Sequence, residues 1–173
     1  MSILTQEYIN SSNTKCFEME NFQIVYGDLI NRNPKLMNKL VLNQNELSQI
    51  MGSGYSLNSL ENARKEGRGI SYIQLGYKSR VLYSILSVCE YISCMKVANP
   101  IEWIVWQLDN VDFIDKKHIL INDYQLSRML GTSASTIATW RHNDKTPISV
   151  GNKNSYSKTE IAKWILQNSI LTS

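Results

Sequence analysis

Cysteine is scarce in this chain of 173 residues: there are three, Cys16, Cys89 and Cys94, odd in number and without a CxxC pair. Neither a disulfide framework nor a zinc site is expected from them. Cys89 and Cys94 sit in an apolar stretch and read as small core residues. Histidine is scarcer still; His118 and His142 are too few for a His-based metal cluster. No run approaches the roughly 18–20 consecutive apolar residues of a membrane span. The opening Met1-Ser2-Ile3-Leu4-Thr5-Gln6-Glu7 lacks the basic and apolar regions of a signal peptide, so a cytoplasmic location is expected. Phosphate-cradling P-loops, GxGxxG loops, HExxH motifs and nucleophile elbows are all missing. Asp109, Asp112 and Asp115, spaced by three, read as solvated aspartates at a helix end rather than as a metal-dependent nuclease cluster. The chain is therefore expected to be neither an enzyme nor a cofactor carrier.

Hydrophobic residues make up 43% of the chain, enough to bury a core, and the length allows one or two domains. Net charge is +3 and unevenly spread. Residues 1–41 and 42–95 are close to neutral, residues 96–118 are slightly acidic, and residues 119–173 hold six basic against three acidic side chains. A balance of this size is compatible with a modest nucleic-acid site whose basic groups share one face.

The chain also repeats itself. Leu42-Asn43-Gln44-Asn45-Glu46-Leu47-Ser48-Gln49-Ile50-Met51-Gly52 returns as Ile121-Asn122-Asp123-Tyr124-Gln125-Leu126-Ser127-Arg128-Met129-Leu130-Gly131, with Asn, Leu, Ser and Gly identical. A repeat can decide a fold. Asn43 and Asn122 stand 79 residues apart, Leu60 and Ile137 77, Gly76 and Gly151 75, Tyr83 and Tyr156 73. Each slip falls in a turn, where insertions are tolerated.

In the first copy Asn43 caps a helix, with Glu46 in capping-box position and Gly52 as its stop. A second helix follows over Leu57 to Glu66. Ile70 to Leu75 alternates as a strand, Gly76 to Ser79 turns, and Arg80 to Tyr83 returns. A third helix runs from Ile85 to Met95. The second copy repeats the order: a helix from Asn122 to Gly131, a helix over Ser133 to Asn143, a strand over Pro147 to Val150, a turn at residues 151–154, a return strand ending at Tyr156, and a helix from Ser157 to Leu166. Between the copies Asn99-Pro100 opens an apolar helix bearing Ile101, Trp103, Ile104, Val105, Trp106 and Leu108. It is expected to pack the copies together, with dimerisation as the alternative. Before the copies, Phe22 to Tyr26 alternates like a short strand, Gly27 to Asn33 reads as a break, and Pro34 to Leu40 as a short helix. The organisation expected is an N-terminal extension over 1–40, units over 41–95 and 119–173, and a connecting helix within 96–118.

Two helices joined at a glycine turn form a helix-turn-helix, whose second helix enters the DNA major groove; a following hairpin is a wing. Ser59-Leu60-Glu61-Asn62-Ala63-Arg64, then Tyr72-Ile73-Gln74-Leu75-Gly76, then Arg80 and Tyr83, resembles the excisionase and MerR-like winged-helix family. Ala63 stands where that family often has tryptophan. The second copy keeps the tryptophan in Thr136-Ile137-Ala138-Thr139-Trp140-Arg141. The resemblance covers residues 42–94 and 121–168. It implies a mainly α fold with small β-hairpin wings: tandem winged helix-turn-helix domains joined by an apolar helix.

Recognition helices read bases with side chains near their N-termini. In the second copy these are Ser133, Ser135, Thr136 and Thr139. Arg141 and His142 lie further along, Arg128 can reach phosphate from the first helix, and Lys153 belongs to the wing. The first-copy equivalents are Asn58, Ser59, Asn62, Arg64 and Lys65, with Arg68, Lys78 and Arg80 in its wing. Arg64 and Arg141 have a competing role, snorkelling over the helix pair. Trp140, Tyr83 and Tyr156 are expected in the core. Glu61 repels phosphate unless it accepts from a cytosine amino group.

The expected partner is double-stranded DNA, read at two dissimilar half-sites roughly 10 base pairs apart. The resemblance implies a transcription regulator or an excisionase-like recombination directionality factor of a phage or other mobile element. Two alternatives stand beside it. One is a protein-interaction module for a recombinase or replication protein; the other is a terminase small-subunit-like DNA-recognition protein. A homodimer remains open.

Overall fold

The structure is a computed structural model that describes residues 20–151 and 154–172. It is mainly helical, with two small antiparallel sheets. Residues 20–32 are helical (α1). The strand expected over Phe22 to Tyr26 and the break expected from Gly27 are thus both corrected. Five residues satisfy the strand and helix periods alike, and burial decides between them. Phe22, Tyr26 and Leu29 face inward at helical spacing, whereas Ile24 is 69% exposed. The partner that makes the difference is distant in sequence. Phe22 and Tyr26 meet Trp103 edge-on at 5.6 and 5.8 Å, and Tyr26 meets Trp106 at 5.4 Å. Each such ring pair adds about 0.5–1.5 kcal/mol beyond simple burial.

A 3-10 turn at Pro34–Asn38 leads into β1 (Val41–Asn43), α2 (Gln44–Met51), α3 (Leu57–Lys65), β2 (Tyr72–Ile73), β3 (Leu82–Ser84) and α4 (Ile85–Ser93). Helix α5 (Pro100–Asp109) connects these to β4 (Leu120–Asn122), α6 (Asp123–Leu130), α7 (Ala134–His142), β5 (Ser155–Ser157), α8 (Lys158–Asn168) and β6 (Ser169–Ile170).

The two capping boxes match. Asn43 Oδ1 accepts from Glu46 N–H while the Glu46 carboxylate accepts from Asn43 N–H, both at 2.9 Å. Asn122 and Gln125 repeat this at 2.9 and 3.0 Å. Gly131 ends α6 at φ +64°, a left-handed turn that a side chain would strain. Ser56, Ser84, Ser133 and Ser157 cap α3, α4, α7 and α8, each hydroxyl accepting from the N–H three residues on. Each cap stabilises its helix by about 1 kcal/mol.

The strands differ from expectation. A short strand precedes each first helix, and it is this strand that pairs with the return strand. Leu42 lies opposite Tyr83, and Ile121 opposite Tyr156. These two pairs are equivalent in the repeat, and all four residues are buried. The hairpin of the first copy is held at its base by Ile73 opposite Leu82. In the second copy no ladder forms over Pro147 to Val150 among the described residues; Val150 N–H donates to Ser155 O at 2.8 Å across the turn. Pro147 has no N–H to give a ladder, and Ile148 is 73% exposed.

The units are interlocked. Strand order in the larger sheet is β1-β3-β2-β6, so the last strand of the chain completes the sheet of the first unit, Tyr72 lying opposite Ile170. The Thr172 hydroxyl donates to Gly69 O alongside. Leu40 N–H donates to Met129 O at 2.9 Å and Leu40 O accepts from Ile85 N–H at 3.0 Å, stitching both units to one segment. Helix α5 packs against α4 on one side and α8 on the other. Its Trp103, Ile104 and Leu108 are buried, and its buried Gln107 amide donates to Lys39 O at 3.0 Å. The packing role expected for this helix is what the structure has. No described helix is long and apolar enough to cross a membrane.

Candidate nucleic-acid interface

Each unit fixes its second helix with one repeated contact. At the C-terminal end of α7, Arg141 donates to the Tyr156 hydroxyl at 2.7 Å and forms an ion pair with Asp123; Tyr156 in turn donates to Asp123 at 2.8 Å. The hydrogen bond to Tyr156, reinforced by the carboxylate, raises Arg141 above the usual guanidinium range. Burial raises the Tyr156 phenol. In the first unit Arg64 donates to the Tyr83 hydroxyl and lies 5.7 Å from the centre of the Tyr72 ring. Burial raises Tyr83 as well. Gln44 occupies the position equivalent to Asp123, so the first clasp has no carboxylate. Both arginines, placed among candidate DNA contacts by sequence, are held inside clasps that orient the helix pair.

Helix α7 presents an exposed N-terminus of small hydroxyls. Ser133 caps it, accepting from Thr136 N–H at 3.2 Å, and its hydroxyl also bonds those of Ser135 and Thr136 at 2.8 and 2.9 Å. The Thr139 hydroxyl donates to Ser135 O at 3.0 Å, which leaves its lone pairs free to accept from a base amino group. Ser133, Ser135, Thr139 and His142 are exposed and Thr136 is half-buried. The only ionisable side chains on α7 are Arg141 and His142.

Arg128 is exposed on α6. Its guanidinium lies 3.9 Å from the centre of the Phe113 ring and 5.8 Å from that of Tyr124. Stacking fixes the plane of an exposed cation that can then meet a phosphate oxygen without first being ordered. Phe113 and Tyr124 were not singled out by sequence. The i,i+4 spacing of Tyr124 and Arg128 is the signal that could have found one of them.

The first unit contributes its β2–β3 hairpin to the region of α7. A cavity of about 490 Å³ is bounded by Leu75, Ser79 and Arg80 of that hairpin and by Ser133, Thr136 and Trp140 of the second unit, with the Lys39–Glu46 ion pair beside it. A side chain at Gly76 would come within 3.1 Å of the Lys145 ammonium. Arg80 is exposed, and Lys78, at φ +64° in the hairpin turn, lies over Tyr77. The two units therefore bring a hairpin and a second helix together across the repeat, a juxtaposition that sequence order did not reveal.

Helix α3 has a different surface. Asn58, Ser59 and Asn62 are exposed, but Lys65 is bonded to Glu61 at 2.7 Å and Arg68 to Glu66. Lys65 holds the Glu61 carboxyl below the usual carboxylate range. Lys153 lies outside the described residues.

Of the three spaced aspartates, Asp109 forms an ion pair with Lys158 and Asp115 accepts from Lys117 N–H at 2.9 Å. Among the described residues no group of three or more His, Cys, Asp and Glu is placed to hold a metal ion. Cys89 is buried, and burial pushes its thiol up to about 12, which makes it a poor nucleophile. No protein-family model, curated protein or solved structure matches the chain.

Proposed function

We propose that this protein is a non-catalytic, sequence-specific binder of double-stranded DNA built from tandem winged helix-turn-helix units. The second unit carries the dominant readout. The observation behind this reading is the acid-free, hydroxyl-rich N-terminus of α7, with the ring-stacked Arg128 on the preceding helix. Serine and threonine hydroxyls accept from or donate to base edges in the major groove, and a fixed arginine beside them sets the register on the backbone. Arg80 of the first unit's wing lies close enough to extend the same footprint. The first unit's own helix α3 reads a second, weaker half-site. Together with the resemblance to excisionase and MerR-like proteins, it supports a role as a transcription regulator or a recombination directionality factor of a mobile element.

A second reading rests on α3. Its paired charges and 46%-exposed Leu57 suit a protein partner such as a recombinase better than a phosphate backbone. One experiment separates the readings. The full chain is used to select from a random-sequence duplex pool at two salt concentrations. An enriched motif with one strong and one weak half-site, lost when Ser133, Thr136 and Thr139 are replaced by alanine, is the expected result. Absence of enrichment, with all binding vanishing at moderate salt, would overturn specific readout.

A further inference from the structure

The two capping boxes are alike in geometry but not in charge. In the second unit a neutral amide closes the box, Asn122 N–H donating to Gln125 Oε1 at 3.0 Å. The carboxylate of Glu46 in the first unit is therefore more than a cap requires. Its Oε2 accepts from Asn43 N–H, and its Oε1 takes the Lys39 ammonium in an ion pair. The two side chains of that pair, lysine and glutamate, are only 18% and 31% exposed. The position equivalent to Lys39 in the second unit is the exposed His118. The extra charge of Glu46 thus goes with a lysine that the second unit lacks at that position.

The same ammonium reaches the second unit. A side chain at Gly131, in the turn between α6 and α7, would come within 3.3 Å of Lys39 Nζ and 3.5 Å of its Cε. The backbone that carries Lys39 is fixed from three sides. Lys39 O accepts from the buried Gln107 amide at 3.0 Å, Leu40 N–H donates to Met129 O at 2.9 Å, and Leu40 O accepts from Ile85 N–H at 3.0 Å. Lys39 and Glu46 also line the cavity bounded by Ser133 and Thr136 at the start of α7. An ion pair anchored on α2 therefore lies against the turn that leads into α7. A partly buried pair is screened less than a surface one, and breaking it leaves the remaining charge without a partner.

We propose that Lys39 and Glu46 are positioning residues for DNA recognition: their ion pair, made within the first unit, holds the α6–α7 turn of the second and so sets the pose of α7 on the base edges. This role rests on the DNA reading given above. Neither side chain has to touch the duplex. Contacts to base edges depend on the placement of the helix, whereas contacts to phosphate carry no sequence information. A released turn is thus expected to lower specific binding and to spare general binding. Plain electrostatics predicts the opposite for Glu46, since removing an acid strengthens attraction to every duplex.

The test uses the full chain carrying Glu46→Gln, which keeps a capping amide as Gln125 does, or Lys39→Met, which keeps an apolar stem. Each variant is checked for native circular dichroism. Affinity is measured for a duplex selected by the wild type from the random pool and for a scrambled duplex of the same length. Glu46→Gln is expected to bind the selected duplex about fivefold or more weakly, the equivalent of one lost base contact, and the scrambled duplex at least as well as the wild type. Lys39→Met should lose a similar factor on the selected duplex, and the double variant no more than either alone, because each removes the same pair. Amide shift mapping without DNA is the second arm: Glu46→Gln is expected to shift Gly131, Thr132 and Ser133. Shifts confined to the first unit would overturn the proposal whether or not DNA binds. Undiminished affinity of Glu46→Gln for the selected duplex, or equal losses on both duplexes, would overturn the role in recognition. Selection of no duplex at all would overturn the DNA reading itself, and this role with it.

Discussion

Helices α3 and α7 occupy the same place in their units and differ in two respects. Helix α7 has a tryptophan that packs it and no acid on its surface; α3 has Ala63 in that place and carries Glu61, paired with Lys65. The clasps beneath them diverge likewise, Arg141 meeting Asp123 and Tyr156 where Arg64 meets Tyr83 alone among its hydrogen-bond partners. An acid-free helix suits a groove of acidic backbone better than a helix whose cation is paired with a carboxylate. The shared sheet, with β6 pairing to β2, keeps the two from separating.

The strongest way to break this comparison is to remove the hydroxyls from each helix in turn. Replacing Ser133, Thr136 and Thr139 with alanine is expected to weaken binding to the selected site about 100-fold, since each lost base contact costs roughly 1 kcal/mol or more. Ser133 also caps α7, so thermal unfolding must accompany the binding assay, and Thr136 with Thr139 alone provides the cap-preserving control. Replacing Ser59 and Asn62 is expected to cost less than tenfold. Equal losses in mobility-shift titrations would mean that the units read DNA as equals.

The clasps give the next largest difference. Arg141→Ala leaves the Asp123 carboxylate, only 20% exposed, without its cation. A loss of about 2 kcal/mol is expected, against about 1 kcal/mol for Arg64→Ala, where only a neutral phenol loses its partner. Urea unfolding of the two variants measures both. Equal values would show that Asp123 adds nothing to the second clasp.

Much of this design is legible in the chain itself. The repeat is written in the residues themselves, and the capping boxes at Asn43 and Asn122 and the serine caps are local signals, set by residues three apart. The strand misread at Phe22 to Tyr26 failed for the opposite reason: its period is fixed by Trp103, some eighty positions away, and five residues cannot carry that information. The pairing of β6 with the first unit is likewise a long-range outcome with no mark in Ser169-Ile170. The stacked Arg128 lies between, half visible through Tyr124 and half hidden in Phe113. Arg64 and Arg141 are visible as basic residues on the second helix of each copy, but only the position of Tyr83 and Tyr156 reveals what holds them.

Alkaline titration sharpens the clasp comparison further. Burial raises both Tyr83 and Tyr156 above the usual phenol value of about 10. The unfolded chain therefore gives up these protons at lower pH than the folded one, and stability falls as pH rises past the unfolded phenol pKa until the folded groups also ionise. Tyr83→Phe and Tyr156→Phe should each flatten that decline when unfolding free energy is followed from neutral pH upward. A slope unchanged in both variants would assign the alkaline loss to other groups, Tyr26 first among them, because burial pushes it up to about 12.

The smallest expected effect is the most discriminating for α3. Glu61 is exposed and held in its charged form by Lys65. If α3 lies near DNA, Glu61 cancels the one cation on that stretch of helix best placed to meet phosphate. Glu61→Gln would then free Lys65, raise affinity about two- to threefold at low salt, and steepen the log–log salt dependence by about one unit. Motif preference at the half-site read by α7 should stay as it was. Loss of binding in the same variant would identify Glu61 as a reader of a cytosine amino group and restore parity between the helices. No change at any salt would place α3 away from the duplex altogether, leaving its surface to another partner.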